Sequence, residues 1–381
     1  MPIQSERKKR IAVVIPKYGL TGGAERFAAT LTEYLAQNPA YDIHVFANRW
    51  ASLSKATTFH HVPIIIFPRF LSSLSFAWFA QRAVQRGHYD IIHTHDRIFH
   101  ADLFSMHGVP HSFWTREIRG KRPSLFDRVT AWVEKRLLTN PTCKFLLPVS
   151  TLAQEQYQRE FPEAGARFQV VPPGVDLERF SPCARQEKRQ GVREQFHLAA
   201  SDVVVLFVGM NFELKGLSTL IAALAEVRAK RPERPIKVLV AGKGDQDRFR
   251  KIAARAGVED AVIFAGVQNQ GIEKFYAAAD IHALLSGFDT FGMTVLEAMA
   301  AGLPVIISHN VGAKDLVVDG VHGYIVDKNS IHEVAERIHA LLDDPRRQSM
   351  GQAARQAAES HAWTHVAQTI NRLYDDILAS R

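Results

Sequence analysis

Two stretches of this chain combine residue types able to neutralise and hold an anion. VGMNFELKGL (208–217) sets Lys215 and Gly216 in a loop between an apolar run and a helical pattern, where an ammonium can oppose a diphosphate at a strand's carboxyl end. SGFDTFGMTVLEAMAAGLPVI (286–306) carries Asp289 in a loop, Gly292 at a helix start, Glu297 within the helix, and Gly302 and Pro304 beyond it, the order in which helices are opened and closed. The amides of Phe291, Gly292, Met293 and Thr294, reinforced by the helix dipole, form an anion site. Glu297 lies about 7.5 Å farther along the axis at 1.5 Å per residue, and its side chain leans back toward the amino end. Val295, Leu296 and Met299 point the helix inward, so an ionised carboxylate here calls for a partner, expected to be a ligand. At that offset from a phosphate a carboxylate accepts two hydrogen bonds from a vicinal diol such as a ribose, and Asp289 suits sugar hydroxyls on the phosphates' other side. The pair reads as a clamp on a nucleotide diphosphate sugar.

KYGLTGGAER (17–26) places Gly22 and Gly23 between an apolar run and a helix opening at Ala24, so bare backbone can approach a ligand at that amino end. A tight turn with no ligand fits the same two residues. The third glycine of a dinucleotide fingerprint is missing, which disfavours hydride-transfer chemistry. Of 17 histidines, His93, His95, His100, His107 and His111 fall in one region. Their spacing admits a metal, but strand-loop positions without carboxylate partners favour substrate contacts, His107 first and then His95. Asp245-Gln-Asp247 spells a D-x-D, yet it follows AGKG after a strand and is expected to open a helix.

The elements that must position these groups alternate. IAVVIP (11–16), a helix from Ala24 to about Gln37, DIHVFA (42–47) and DIIHTH (90–95) form one series. VVVLFVG (203–209), a helix from about Ser218 to Lys230, IKVLVAG (236–242), a helix near Gln246 to Ala256, VIFAG (262–266), ADIHALLS (279–286) and LPVIIS (303–308) form a second. Alternation of this kind implies parallel strands with crossover helices. VVPPGVDLERFSP (170–182) breaks both periodicities and is the expected hinge. The reading is α/β: two Rossmann-like doubly wound domains facing a central cleft, spanning 1–178 and 179–360, with a terminal helix over 361–381 packing back on the first. Ligands of such sheets collect at the strands' carboxyl ends.

At 381 residues the chain suits two domains. Its net charge of +8 points to an anionic partner without choosing among nucleic acid, nucleotide phosphate and acidic lipid. No apolar run approaches the roughly 20 residues that span a bilayer, and the basic start MPIQSERKKR meets too short an apolar run for a secretory leader. A cytoplasmic protein is expected, with its cysteines, Cys143 and Cys183, as reduced bystanders.

PPGVDLERF (172–180), the loop ending in Lys215-Gly216, and a carboxylate eight residues before Glu297 in FGMTVLEAMAAGLPVI resemble the GT-B glycosyltransferases of family 4, which carry an E-x7-E motif. KYGLTGGAER and GMNFELKG are similar to the lipopolysaccharide core glucosyltransferase I subgroup. The resemblance implies retaining hexosyl transfer, glucose from UDP-glucose being the expected case, without a metal or other cofactor. By position it assigns ribose hydroxyls to Glu297, the diphosphate to Lys215, phosphate and sugar to the amides of Phe291 and Gly292, and the base to the backbone at Val267. It sets His107 near the reacting sugar and Gly22 and Gly23 over the phosphates. Two departures stand out: Asp289 replaces the first motif glutamate, shortening its reach by about 1.5 Å, and Met210 and Asn211 occupy the place where many members carry an arginine.

Within that reading His107, Asp289 and Lys215 are the catalytic candidates and His95 a candidate acceptor contact. The partners are a nucleotide sugar and a glycolipid or oligosaccharide, not nucleic acid. A nucleotide-sugar 2-epimerase shares the plan but would need acid and base carboxylates that the sequence does not place, and a silent nucleotide-sugar binder would carry the same clamp. Residues 116–136 hold seven Lys or Arg against three acidic residues, with Phe126, Val129, Trp132 and Val133 at near-helical spacing. This suits either an interfacial element on the cytoplasmic face of an anionic inner membrane or a solvated helix packing on its own domain, and FPRFLSSLSFAWFAQRA (67–83) shares the ambiguity.

Overall fold

The computed structural model describes residues 7–20, 22–52, 54–268 and 270–381, with the side chains of 183–187 excepted. The first residues of the basic N-terminal stretch and the Cys183 side chain therefore lie outside the described residues. Cys143 is buried and unbridged; burial, then the nearby Asp102 carboxylate, pushes its thiol up to about 12.

The chain divides into two compact units, 1–174 with 363–381, and 175–362. In the first, seven parallel strands lie in the order Thr57–His61, Tyr41–Ala47, Lys9–Val14, Ile91–Thr94, Leu103–Met106, Phe145–Pro148 and Arg167–Phe168. The chain starts mid-sheet, walks to one edge, then returns and walks to the other. The second unit repeats this with six parallel strands: Val262–Gly266, Ile236–Lys243, Val203–Met210, Ile281–Leu284, Val305–Ser308 and Gly323–Val326. The strand order reverses between Lys9–Val14 and Ile91–Thr94 in one sheet and between Val203–Met210 and Ile281–Leu284 in the other. At such a point the flanking loops diverge to opposite faces and leave a crevice at the carboxyl ends.

Sequence periodicity accounts for the layers. The central strands are apolar on both faces, as parallel strands covered by helices must be: Val203 to Phe207 are all buried. Helix Leu217–Lys230 buries Leu217, Leu220, Ile221, Leu224 and Val227, the i, i+3, i+4, i+7 stripe of a one-faced helix. Helix Trp363–Ala379 buries Val366, Ile370, Leu373, Tyr374 and Ile377 in a core with Ile11, Val13, Leu31 and Val45 of the first unit. Helix Leu125–Leu138 opens with a reciprocal capping box between Ser124 and Asp127, which satisfies two otherwise orphaned amides.

In the first unit Gly174 lies against Trp363: a Cβ there would fall 2.8 Å from the tryptophan Cα. In the second, Val175 N–H donates to His361 O at 2.9 Å, and Val175 bridges Ala362. The glycine of the PPG run is thus fixed by a backbone-to-backbone approach that admits no side chain. Gly174→Ala is expected to destabilise the protein by about 1–3 kcal/mol through overpacking, measurable as a lowered denaturant midpoint at unchanged m-value.

Candidate functional site

Both halves of the anion-binding motif stand at the reversal point of the second sheet. Lys215 follows strand Val203–Met210 through a turn in which Lys215 N–H donates to Asn211 O at 3.1 Å and Leu217 N–H to Phe212 O at 3.0 Å. Gly216 adopts φ 80°, and a Cβ on it would lie 2.1 Å from Leu285 O, so only glycine permits this loop to press on the end of the neighbouring strand. The loops are further stitched by Gly287 N–H to Leu214 O at 2.7 Å and Ser286 Oγ to the same carbonyl at 3.2 Å.

Asp289 follows strand Ile281–Leu284. Its carboxylate accepts from Lys215 Nζ at 2.5 Å through Oδ2 and from Phe291 N–H at 3.3 Å through Oδ1. The sequence places Asp289 toward sugar hydroxyls; in the structure its partners are the lysine and a loop amide. Gly292 caps helix Met293–Ala300 at φ 90°, a conformation that favours glycine, and a Cβ there would stand 2.8 Å from a Val311 methyl. The amino end of this eight-residue helix is thereby held open-handed toward the crevice, with first-turn amides of Met293 and Thr294 that an intrahelical ladder leaves unclaimed.

Glu297 departs from expectation in one respect: its partner was to come from a ligand, but Tyr276 Oη donates to Glu297 Oε2 at 2.7 Å. Tyr276 is fully buried on helix Glu273–Ala278 and packs edge-on against Phe180. A buried tyrosine hydroxyl requires an acceptor, so this contact supports the carboxylate and fixes its rotamer. Sequence reading missed Tyr276; the polar tip of a tyrosine amid the alanines of EKFYAAAD is the signal that marks it. Val267, assigned to the base, follows strand Val262–Gly266 and is half exposed.

In the first unit Gly22 caps helix Gly23–Leu35. A Cβ on Gly22 would lie 1.9 Å from a Glu25 carboxylate oxygen, whereas Gly23 has open space around it. The glycine pair was expected to lie over phosphates; at Gly22 the structure places a carboxylate instead, and like charge opposes an anion there. His95 and His107 follow neighbouring strands and stack nearly parallel, joined by a hydrogen bond of 3.0 Å between His95 Nδ1 and His107 Nε2. His93 sits beneath them, bonded to Tyr374 Oη and Ser105 Oγ, each at 2.8 Å. Burial, first of all, holds His93 down to about 3, His107 down to about 4, and His95 well below its usual range.

The remaining histidines of that region do not join them. His100 pairs with Thr142. His111 bonds Asp127 at 2.9 Å, which corrects the expectation that these histidines lack carboxylate partners. Asp127 is the same residue that caps helix Leu125–Leu138. Beside it the fully buried Glu134 holds Arg97 at 2.9 Å and accepts from His111 N–H at 2.8 Å. The D-x-D resolves into a cap: Asp245 accepts from Arg248 N–H at 3.0 Å at the start of helix Gln246–Arg255. Glu226, His332 and Glu336 cluster at the surface of the second unit, with Lys230 Nζ lying 3.1 Å from Glu226 and 2.7 Å from Glu336, so both carboxylates already share an ammonium.

Two family descriptions match the chain, "Glycosyltransferase Family 4" over residues 21–179 and "Glycosyl transferases group 1" over residues 188–357. The two domains are those of the family 4 glycosyltransferases. The folds agree: WaaG, a glycosyltransferase involved in lipopolysaccharide biosynthesis, superposes with a TM-score of 0.78 at 20% identity, covering 96% of this chain and 99% of that one. Anabaena HepE, in complex with UDP and glucose, does so with a TM-score of 0.70 at 21% identity, covering 97% and 100%. Among curated relatives, the D-inositol 3-phosphate glycosyltransferase of Corynebacterium aurimucosum is 33% identical over 217 residues, 55% of this chain and 51% of that protein. The chain thus spans about half the length of such a relative. Both sheets are those of the GT-B architecture.

The buried neutral histidines carry a pH signature. Unfolding exposes His93, His95, His107 and the core His282, also held down to about 3 by burial, and the unfolded chain takes up protons below about pH 6.5 while the folded one does not. Stability is therefore expected to be lost as pH falls from 6.5 toward the folded values, by up to about 2 kcal/mol per histidine at pH 5. Urea denaturation at pH 7 and pH 5 checks this, and His93→Gln should make the difference smaller.

Proposed function

We propose that this protein is a retaining, metal-independent hexosyltransferase that moves glucose from UDP-glucose to a glycolipid or oligosaccharide acceptor of the lipopolysaccharide-core kind. One observation carries the donor half: Lys215 and the amino end of Met293–Ala300 meet at the reversal point of the second sheet, with Glu297 a turn and a half farther along that helix. A diphosphate held by the ammonium and the first-turn amides puts its ribose within reach of Glu297, which Tyr276 keeps in place. Anabaena HepE, of the same fold, is known with UDP and glucose bound.

In the transfer the bond between the anomeric carbon and the phosphate oxygen breaks as that carbon bonds the acceptor oxygen on the same face. The acceptor's proton passes to the departing phosphate. Negative charge grows on the diphosphate, and Lys215 and the helix amides oppose it most strongly at that moment, which is the condition for lowering a barrier. No metal is called for in this scheme, because fixed protein charges do that work. His107 is the first unit's proposed contact near the reacting sugar, and His95 its proposed acceptor contact.

For the acceptor, the first unit offers a surface. Helices Leu71–Gly87 and Leu125–Leu138 pack together, with Ser73 Oγ bonded to Thr130 Oγ1 at 2.9 Å. Phe76, Ala77, Ala80, Val133 and Leu137 face inward, while Ile66, Phe67, Trp78, Leu125 and Trp132 are exposed. The basic segment is thus a packed helix with an exposed apolar edge. Arg82 stacks on Trp78 and Arg136 on Trp132, the mixture that seats a protein on an anionic bilayer. These features support a peripheral position at the cytoplasmic face of the inner membrane. The names of the curated relatives favour a second acceptor, an inositol phosphate, and both are tested together.

Nucleotide release from UDP- and GDP-sugars, assayed with each acceptor and with none, is expected to require UDP-glucose and acceptor together, and proton NMR of the product should show the donor's anomeric configuration. Sugar interconversion without acceptor would indicate an epimerase, and donor binding without turnover a silent binder. Lys215→Ala and Glu297→Ala should each weaken UDP binding about ten- to a hundredfold, the worth of a charged hydrogen bond, in isothermal titration. Trp78→Ser with Trp132→Ser should reduce co-sedimentation with phosphatidylglycerol vesicles while leaving UDP affinity in place.

A further inference from the structure

We propose that Asp289 is the internal counter-ion of Lys215 in the donor-free protein, displaced when a nucleoside diphosphate arrives, and that its task is to set how tightly the diphosphate is held rather than to grip the donor's sugar. This rests on the donor reading above and assigns a different role to one of its residues.

The geometry limits what Asp289 can reach. Its backbone is fixed on both sides, N–H donating to Asn310 O at 2.9 Å and C=O accepting from Gly312 N–H at 2.9 Å, in a parallel bridge to Val311. Only the short side chain is left to move, and a glutamate would extend about 1.5 Å farther. Both carboxylate oxygens have protein partners: Lys215 Nζ at 2.5 Å and Phe291 N–H at 3.3 Å. Asp289 therefore ties the loop after the sheet's first strand to the loop after its fourth, across the crevice, and it engages two of the groups that the diphosphate needs.

The electrostatics follow from burial. The Lys215 and Asp289 side chains are 19% and 20% exposed, so the ammonium has shed much of its water and requires a counter-charge. A diphosphate brings more negative charge than one carboxylate and takes the lysine over. Asp289 then stands beside a like-charged ligand, and that repulsion raises the ligand's escape rate. Each turnover thus exchanges one counter-ion for another: the carboxylate keeps the lysine aimed while the site is empty, and favours departure of the nucleotide product after transfer.

The test compares UDP with UDP-glucose by isothermal titration on the full chain. For Asp289→Asn the exchange predicts UDP binding tightened about three- to tenfold, the size of a partly solvated ion pair, and UDP-glucose binding tightened by a similar factor. Asp289→Glu, with the charge kept, should stay within about twofold of the unmodified protein. In a Lys215→Met background the gain from Asp289→Asn should largely vanish. Asp289→Ser serves as a second neutral variant should the asparagine lower the melting temperature. UDP affinity unchanged by the neutral variants, with UDP-glucose affinity selectively lost, would establish a sugar clamp and overturn the exchange while leaving the donor reading intact. Binding of neither UDP nor GDP to the unmodified protein would overturn the donor reading and the exchange with it.

Discussion

Everything chemical in this molecule depends on one constraint of parallel sheets, that neighbouring strands are joined by crossovers which must cover one face or the other. Because each sheet here begins in its middle and grows first one way and then the other, the two central strands send their loops apart. The gap between those loops is the one place at the sheet's end where backbone amides and side chains from distant parts of the sequence can converge. Lys215 and Asp289, 74 residues apart, meet for this reason, while in the other sheet His95 and His107 gather at the ends of the adjacent strands Ile91–Thr94 and Leu103–Met106, the first of which borders the reversal.

Charge placement refines what topology provides. The second unit's crevice is built as a set of compensated groups: an ammonium against a carboxylate, a carboxylate against a phenol. The first unit's histidines are kept neutral by burial, and the nearby guanidinium of Arg97 is cancelled by Glu134. Among the described residues of these sites the charged side chains are paired within the protein, although His95 Nε2 and Thr294 Oγ1 are buried without a hydrogen-bond partner, and this pairing of charges makes binding at Lys215 a trade of partners.

Fold and site were legible to different depths. Strand runs such as VVVLFVG and helices such as Leu217–Lys230 carry their periodicity in full view, so the two doubly wound units follow from pattern alone. Gly216 and Gly292 were legible because a glycine between strand and helix has few other reasons to be there. What one sequence conceals is who pairs with whom. Nothing near Glu297 announces Tyr276, since the contact joins two helices across a strand, and nothing near Asp289 reveals that Lys215 lies 2.5 Å away. Glu25 folding back over Gly22 is local, yet it depends on a rotamer that spacing does not specify. The double character of helix Leu125–Leu138 was hidden for a similar reason: a stripe of apolar residues says that a face is apolar, not what covers it.

The helix Trp363–Ala379 adds a consequence for biogenesis. Its residues complete a core whose other members lie in the first half of the chain, and its Tyr374 closes the hydrogen bonds of His93. A ribosome therefore finishes the intervening unit while the earlier one still exposes the sheet face that this helix will cover. Completion of the amino-terminal half therefore waits until the intervening unit has been made, and a nascent chain at that stage presents the apolar surface that chaperones recognise.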